Sequence, residues 1–252
     1  MVQKFRIGEI AKFFNIPTST LRYWEDKGVL HPKKGIDNQY REYFVEDLMT
    51  ISDIIFYKNL GLQLKEIQEM EKCTPDEHNK LFIEKVEELK QEQKIISKRM
   101  KKLQSQINAV KIIELLKKHP YQITDIDTEC VVSFELIEQE KLQQYIENPY
   151  LYTRVQHSNS LSLEKRGLTV PLNMIETFPK NSVIWKKRSN QYITFLMKEK
   201  VCEGYPNDLN EHLLHIQKSH RTGAIISRFL LCASEDETIY DFYQTFVEII
   251  SD

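Results

Sequence analysis

The sequence predicts a chain of more than one domain, α-helical in its first part and α+β in its second. Three observations predict this class. Two short amphipathic helices with a tight turn open the chain, a run from Asp76 to His119 contains neither proline nor glycine, and alternating apolar segments return after Pro120. A length of 252 residues is enough for about two domains. The predicted divisions are 1–73, 74–119 and 120–252.

The composition is that of an ordinary soluble protein, with 41% hydrophobic and 29% charged residues. No apolar run approaches the roughly 18 residues of a membrane helix, and the first residues lack a signal-peptide core. We therefore expect a cytoplasmic location and no membrane partner. The cysteines show no CxxC pair, which is typical of buried or free thiols in a reducing compartment. They are Cys73, Cys130, Cys202 and Cys232.

The charge balance does not by itself indicate a nucleic-acid binder, because the formal net charge is −2. Residues 1–44 hold eight basic and five acidic residues, a local excess of +3. This positive field is modest. Any affinity for DNA must therefore come from placed contacts and from doubling of those contacts in a dimer.

Two short helices are predicted at the start of the chain. The first begins near Arg6 and is broken by Asn15-Ile16-Pro17, and the second runs from Thr18 to Lys27, where Gly28 closes it. The apolar face of the first helix consists of Ile7, Ile10, Ala11 and Phe14.

The second helix has an inward face with Leu21 and Trp24 and an opposite polar face. Arginine and tyrosine on an exposed helix face have the chemistry to enter a major groove. Two short helices with a tight turn also occur in proteins that never touch DNA, so this pattern alone leaves both interpretations open. The polar face consists of Ser19, Arg22, Tyr23 and Asp26.

A basic hairpin is predicted after the second helix. His31–Asn38 is rich in turn residues, and Gln39–Tyr43 has the pattern of the returning strand. Such a hairpin is typical of a wing that lies against phosphates. A helix over Glu46–Leu60, a stop at Gly61 and a short helix over Leu64–Glu71 follow. The longer helix turns these residues partly inward: Leu48, Ile51, Ile55 and Tyr57.

One long helix is predicted between Thr74 and Pro120. Thr74 can cap it, Pro75 suits the first helical position, and Glu77 completes a capping box. Apolar residues then recur at alternating spacings of four and three, with Gln93 as one polar interruption. A lone helix cannot bury so narrow a stripe in water, so this seam predicts a coiled-coil homodimer. The alternative is a helix packed on its own domain, which a sustained 3.5-residue period disfavours. The seam consists of Phe82, Val86, Leu89, Gln93, Ile96, Met100, Leu103, Ile107 and Val110.

Five motifs in the first seventy residues point to one family. They are Ile7–Ala11, Thr20–Glu25, Gly28–Leu30, Tyr40–Tyr43 and Leu60–Ile67. In order and spacing they resemble the winged helix-turn-helix of MerR-type transcription regulators over residues 4–72, and the long helix follows where that family keeps its dimerisation helix. Three departures are visible: Trp24 replaces a usual tyrosine, Glu42 replaces an aromatic or basic residue, and Phe44-Val45 replaces a polar cap.

The resemblance implies DNA contacts at matching positions. Arg22 and Tyr23 would contact bases or backbone, while the wing and the third and fourth helices would contact phosphates. The start of the fourth helix would also attract phosphate. Of the two wing tyrosines, we expect Tyr43 in the core and Tyr40 facing DNA. The expected DNA-binding residues are Ser19, Arg22, Tyr23, Lys33, Tyr40, Arg41, Lys58 and Lys65.

The resemblance also implies a mechanism and partners. A homodimer would bind a near-palindromic site in double-stranded promoter DNA whose spacer is too long. It would then bend and untwist that DNA so that RNA polymerase engages both promoter elements.

Residues 120–252 are predicted to form an α+β domain in which β-α-β-β occurs twice. This order and the last strand resemble the GyrI-like effector domain of multidrug-sensing family members, whose ligands are bulky, apolar and often cationic. The predicted strands are Cys130–Leu136, Leu151–Gln156, Val183–Lys187, Tyr192–Met197, Ala224–Cys232 and Tyr240–Ile250. The predicted helices are Glu138–Ile146 and Leu209–Ser219, the second with Leu209, Leu213 and Ile216 on one face.

An effector pocket is expected in this domain because aromatic residues are plentiful there. Aromatic walls with one buried carboxylate suit a flat hydrophobic cation. Gln244 stands where drug-sensing relatives place the carboxylate, so the acid would have to be Glu135, Asp241 or Glu248. For each aromatic residue, ordinary core packing is the alternative. The candidate ligand-binding residues are Glu135, Trp185, Tyr192, Phe242, Gln244 and Phe246.

Metal and enzyme chemistry have little support in the sequence. Residues 110–129 contain no cysteine and only His119, so a thiolate metal site lacks its ligands. No nucleophile–base motif or glycine-rich phosphate loop is present, so we expect no catalytic residue, cofactor or metal. Three hypotheses remain: a ligand-responsive, DNA-bending activator; a MerR-like repressor or architectural regulator whose C-terminal domain binds no small ligand; and a DNA-tethered hydrolase.

Overall fold

The computed structural model describes residues 3–34, 40–70, 72–135 and 137–250, which divide into two units at Ser97 and Lys98. The first unit is helical, as its periodicity predicts, with one small hairpin. Its elements before the long helix are α1 (Ile7–Phe13), α2 (Thr18–Asp26), β1 (Lys33–Lys34), β2 (Arg41–Glu42), α3 (Val45–Asn59) and α4 (Leu64–Met70).

The core of the first unit gathers the apolar faces of these short helices. Leu21 is fully buried and Trp24 is nearly so, which confirms the predicted inward face of α2. Tyr43 is also fully buried, and it pairs with Phe5 through an isolated antiparallel bridge. Ile54 of α3 is also buried, although it was not among the residues predicted to face inward.

The helix ends differ from prediction by about one residue. Gly28, at φ +69°, lies just beyond α2, a left-handed conformation that glycine adopts without strain. Phe44 has no polar side chain to cap the start of α3, and a carboxylate in the first turn of the helix makes the capping bond instead. The carboxylate of Asp47 accepts the Phe44 N–H at 2.7 Å, which satisfies a donor that would otherwise lack a helical partner.

The predicted hairpin is present but shorter than expected. Lys33 lies opposite Glu42, and Lys34 lies opposite Arg41. Part of the predicted turn segment His31–Asn38, from Gly35 onwards, lies outside the described residues, as does Gln39, the first residue of the predicted return strand. Glu71, at the predicted end of α4, lies outside them too.

A single helix, α5 (Pro75–Lys118), spans 44 residues and confirms the long helix expected between Thr74 and Pro120. Its start has the predicted capping box. The Thr74 N–H donates to the Glu77 carboxylate at 2.7 Å, and the Glu77 N–H donates to the Thr74 hydroxyl at 3.4 Å. The Thr74 hydroxyl also donates to this carboxylate, at 2.9 Å, and the two bonds that Thr74 donates hold the pKa of Glu77 below its usual value.

The second unit carries an eight-stranded antiparallel sheet within the described residues, in the order β3-β8-β10-β9-β5-β6-β4-β7. Its strands are β3 (Gln122–Thr124), β4 (Cys130–Ser133), β5 (Tyr152–His157), β6 (Ser160–Val170), β7 (Val183–Lys186), β8 (Tyr192–Lys200), β9 (Thr222–Glu235) and β10 (Thr238–Ile249). Its helices are α6 (Gln139–Glu147) and α7 (Leu209–Ile216).

Two β-α-β-β repeats occur in this sheet, as the sequence predicts; the predicted strand Val183–Lys187 is present as β7 but lies outside the first repeat. The repeats are β4-α6-β5-β6 and β8-α7-β9-β10, and they meet where β5 pairs with β9. We expected Val183–Lys187 to close the first repeat. Instead β6 closes it, and β7 pairs with β4 at the sheet edge. β6 escaped prediction because the charged run Glu164-Lys165-Arg166 interrupts its apolar alternation.

The two faces of the sheet have separate cores. On one face Tyr243 and Val247 of β10 pack against α7, whose predicted apolar face is buried. On the other face Phe242 packs against the last turns of α5. The α5 residues buried at this contact are Ala109, Ile113 and Leu116.

Among the described helices, none is long and apolar enough to cross a membrane.

Candidate nucleic-acid interface

Helix α2 presents the polar face that the sequence predicts. Ser19, Arg22, Tyr23 and Asp26 are all exposed, and Tyr23 is 51% exposed despite its size. The ammonium of Lys27 lies 5.6 Å from the centre of the Tyr23 ring. The helix therefore offers a guanidinium fork and a phenol hydroxyl to an incoming surface, the chemistry that reads base edges and phosphates.

A groove of about 670 Å³ runs between α2, the end of α3 and the start of α4. It brings together three residues predicted to bind DNA: Tyr23, Lys58 and Lys65. Lys27 lines it too and was not among the predicted residues, although its place at the end of α2 beside Tyr23 was a usable signal. No acidic side chain lines the groove among the described residues. A polyanionic strand is the ligand that such a lining favours.

The lysines of this groove are loosely held. Lys58 donates to the carbonyl oxygen of Leu62 at 3.1 Å, and the Lys65 ammonium lies 4.0 Å from the Glu69 carboxylate on an exposed surface. Exposed pairs of this kind contribute little, so these cations can turn to a phosphate. The start of α4 is less open than expected, because the Gln63 N–H already donates to Glu66 at 2.5 Å.

The wing supplies further cations, and one of them has an internal partner. Arg41 is only partly exposed, and its guanidinium donates to the carboxylate of Glu25 on α2. This bond raises the pKa of Arg41. Lys33 is exposed beside the Phe44 ring, and Tyr40 is 73% exposed. Sequence reasoning missed Glu25, since nothing local indicates a contact between residues this far apart in the chain.

Most of the heptad seam of α5 is exposed to solvent. Gln93 and the seven apolar residues from Val86 to Val110 are exposed, the apolar ones between 47% and 65%. Phe82 differs from the others. It packs against the first unit's core and stacks on Tyr57 with ring centres 6.3 Å apart, so the open seam begins at Val86. The open apolar members are Val86, Leu89, Ile96, Met100, Leu103, Ile107 and Val110.

The helix face that packs on the sheet is a different one. At about 100° per residue, the seam and the face carrying Ala109, Ile113 and Leu116 lie roughly 120° apart round α5. The same helix can therefore bury one face within its own chain and leave the other for a second helix.

The residues expected to bind an effector do not form one pocket. Trp185, Tyr192 and Phe246 belong to one buried cluster. Phe242 lies in another, beside α5, and Glu135 is an exposed residue outside both. Gln244 is half-buried on β10, between Phe242 and Phe246 along the same face of the strand.

Glu248, one of the acids left open by the sequence, is the carboxylate that joins the aromatic cluster. It is 3% exposed, and its oxygens accept from the Asn190 side chain at 2.6 Å and from the Ala224 N–H at 2.9 Å. Gly223 makes room for it, since a Cβ there would lie 2.4 Å from a Glu248 oxygen. Glu248 and Trp185 line a groove of about 720 Å³.

A buried charged network on the opposite face was not predicted. Arg154 donates to both oxygens of Glu199, each at 2.5 Å, and to the Tyr243 hydroxyl at 2.6 Å. Its guanidinium carbon also lies 4.5 Å from the centre of the Tyr243 ring. Burial is the main cause that raises the pKa of Tyr243. Within the described ranges, no three histidine, cysteine or acidic side chains are grouped to hold a metal ion.

Comparison with known proteins finds a family that matches part of the first unit. Residues 5–72 match the model of the MerR HTH family regulatory proteins. The HTH-type transcriptional regulator ZntR homolog of Haemophilus influenzae is 34% identical over 65 residues, 26% of this chain and 48% of that protein. The multidrug-efflux transporter 2 regulator of Bacillus subtilis is 33% identical over 100 residues, 36% of this chain and 37% of that protein. The chain thus spans less than half of either relative.

Two solved structures give weaker likenesses. HiNmlR, a MerR family regulator lacking the sensor domain and bound to promoter DNA, is 23% identical with a TM-score of 0.35, covering 46% of this chain and 96% of that one. The EcmrR–DNA complex in EcmrR-RPo is 17% identical with a TM-score of 0.36, covering 98% of this chain and 100% of that one.

Proposed function

We propose that this chain, whose residues 5–72 are a MerR-type helix-turn-helix domain, is a dimeric transcription regulator that binds and distorts promoter DNA in response to a small effector. One observation carries the proposal. The exposed Arg22 and Tyr23 of α2 stand beside a groove that Lys27, Lys58 and Lys65 line and that no described acidic side chain lines. Side chains suited to reading bases therefore lie beside side chains suited to binding phosphates, and this supports the proposal.

The open seam of α5 supports dimerisation. Seven apolar residues at heptad spacing are about half exposed or more in the single chain, which water disfavours. A second copy packed along the same seam would bury them in knobs-into-holes contacts. Dimerisation also supplies a second recognition helix, so that the target would be a near-palindrome with two half-sites.

Distortion of the promoter is the mechanism that we infer for a DNA-binding surface with only a few cations on each protomer. Two heads held by one coiled coil would contact phosphates of both half-sites, and these contacts would stabilise a bent, untwisted duplex. RNA polymerase would then engage both elements of a promoter whose spacer is too long when straight. The effector would change the balance between the straight and the distorted complexes.

A hydrophobic small molecule is the effector that the second unit supports. Trp185 and Tyr192 meet edge to face with ring centres 6.5 Å apart, and Phe246 lies in the same cluster. Tyr192 is fully buried behind Trp185 and does not itself line the groove, so it supports the site through its packing. Burial, followed by the nearby Glu248 carboxylate, raises the pKa of Tyr192. Of the expected chemistries, hydrophobic or cationic, these features favour the hydrophobic one.

The test begins with selection of a DNA site from a random library by the full chain. We expect a near-palindrome, protection of both half-sites in a hydroxyl-radical footprint, and a bend measured by circular permutation. Transcription by RNA polymerase on promoters with a normal and a lengthened spacer should respond to the protein in opposite directions. Protection of a single half-site, or a straight duplex in every complex, would overturn the mechanism. A bent complex with no response to any effector would favour the architectural alternative.

A further inference from the structure

The groove beside β7 has an apolar floor. Val155 of β5, Ile184 and Trp185 of β7 and Ala224 of β9 lie along its lining, and its volume is about 720 Å³. Trp185 is 8% exposed and lines the groove, while most of its side chain packs in the core. A flat or acyl body would bury apolar surface here.

Basic side chains surround this floor. Lys165 of β6, Lys186 of β7 and Arg188 are exposed and line the groove, as does Lys187, whose ammonium lies 2.6 Å from the Asp125 carboxylate. The described lining holds four lysine or arginine side chains against one carboxylate, and Asp125, which is not in the lining, offsets Lys187, so a net charge of +2 remains. A ring of one sign around a low-dielectric floor raises the local concentration of the opposite charge.

The one carboxylate in the lining, Glu248, does not reverse this preference. Both of its oxygens already accept hydrogen bonds from the neutral donors of Asn190 and Ala224. The side chain is 3% exposed, so a cationic ligand would have to pass the basic rim and lose its own hydration to reach it. A negative charge at the rim meets none of these obstacles.

We propose that this groove binds an organic anion with a flat apolar body, of the class of aromatic carboxylates and sulfonates. The body packs on Trp185 and Val155, and the anionic group lies at the rim beside Lys186 and Arg188. This inference deepens the proposed function, because it rests on the second unit being the effector-binding part of the chain. It assigns the effector a charge opposite to the one that the family resemblance implies.

Three probes with one apolar body test the charge preference. The full-length chain is titrated calorimetrically, without DNA, with 2-naphthoate, 2-naphthalenemethanol and 2-naphthylmethylammonium. We expect saturable binding of the naphthoate with an affinity about tenfold or more above that of the ammonium probe, and the alcohol between them. Equal affinity for all three, or a preference for the ammonium probe, overturns the proposal.

Charge reversal at the rim locates the binding. Lys186→Glu combined with Arg188→Glu should weaken naphthoate about tenfold or more and should bring the ammonium probe up to or above it. Lys218→Glu, an exposed lysine that does not line the groove, is the matched control and should change neither affinity. Circular dichroism shows whether each variant is folded. An unchanged naphthoate affinity in the folded double variant places the anion elsewhere and refutes the groove.

Failure of this inference can be told from failure of the proposed function. Protection and bending of the selected DNA are measured on the same protein without probe. If DNA is bent but the naphthoate does not bind, the anion site is wrong and the regulator stands. If the naphthoate binds with the expected charge preference but DNA is not protected, the site stands and the regulatory role is wrong.

Discussion

At the wing, the Arg41 guanidinium donates through its Nε–H to the Glu25 carboxylate, which competes with a phosphate for this cation. We predict that Glu25→Gln raises DNA affinity about threefold to tenfold at low salt, because it removes a competing anion and a negative charge from the DNA-facing side. Fluorescence anisotropy with a labelled duplex at two salt concentrations measures this. Glu84→Gln, an exposed acid on α5, is the control and should change little. A loss of affinity in the Glu25 variant would mean that the ion pair positions Arg41 for DNA.

Tyr43 couples the stability of the first unit to alkaline pH. Its side chain is fully buried, and burial raises its pKa to about 12. Since the unfolded value is about 10, the stabilising contribution is fully present below pH 10 and is lost as the pH rises towards 12. We therefore expect wild-type protein to lose more free energy of unfolding between pH 8 and pH 11.5 than Tyr43→Phe.

The same substitution should be tolerated at neutral pH. The Tyr43 hydroxyl has no hydrogen-bond partner among the described residues, so its removal should be neutral or should stabilise by up to about 1 kcal/mol. Urea unfolding followed through Trp24, in a Trp185→Phe background, reports the first unit alone. Tyr23→Phe, on the exposed face of α2, is the control. A loss above about 1 kcal/mol in Tyr43→Phe would reveal a bond that the structure lacks.

Among the helices and strands, those whose signal lies in the local spacing of residues could be predicted from the sequence. The capping box of Thr74 and Glu77 and the absence of breakers fixed α5 to within a residue or two. β6 was missed because its signal is not local: the charged run Glu164-Lys165-Arg166 belongs to a strand only through its pairing with β4 and β5. β3, three residues long, is too short to show a period.

The candidate site also has one part that local spacing predicts and another part that it does not. The exposed face of α2 follows from helical spacing and could be read directly. The partnership of Arg41 with Glu25 and that of Trp185 with Glu248 depend on how distant segments meet, which no short-range pattern carries. Effector residues chosen for being aromatic therefore fell into two clusters, one of which includes Phe242 beside α5.

The α5 seam makes its own prediction at position 93. An exposed glutamine in an otherwise apolar heptad seam fixes register at a cost in stability. Gln93→Leu should therefore lower the dimer dissociation constant about tenfold, as measured by sedimentation equilibrium. Gln91→Leu, exposed but off the seam, should leave it unchanged. Equal shifts of the dissociation constant in both variants would indicate non-specific hydrophobic association rather than pairing along the seam. No shift in either variant would argue against pairing of α5 along this seam.

For the whole molecule, the overall charge of −2 and the placement of cations have to be considered together. A chain with so little net charge gains no general attraction to a polyanion. Under the proposed function, its affinity would depend on a few cations held at one surface and on their duplication in a dimer. Dimerisation and DNA binding would then be one thermodynamic unit, and a change in the seam should be visible in the salt dependence of binding.

This gives the last prediction. Each protomer offers the four cations that the sequence predicts at phosphates, and the groove adds a fifth: Lys27, Lys33, Arg41, Lys58 and Lys65. If all of them engage in a dimer, the logarithm of the binding constant should fall with the logarithm of salt concentration at a slope of about −9. The paired variant Met100→Asn with Leu103→Asn, which weakens the seam without changing charge, should bring the slope to about half of that value and lower the affinity. Gln91→Asn should keep the wild-type slope. An unchanged slope in the seam variant would mean that a single protomer makes every phosphate contact, and the duplicated head would then have no part in holding DNA.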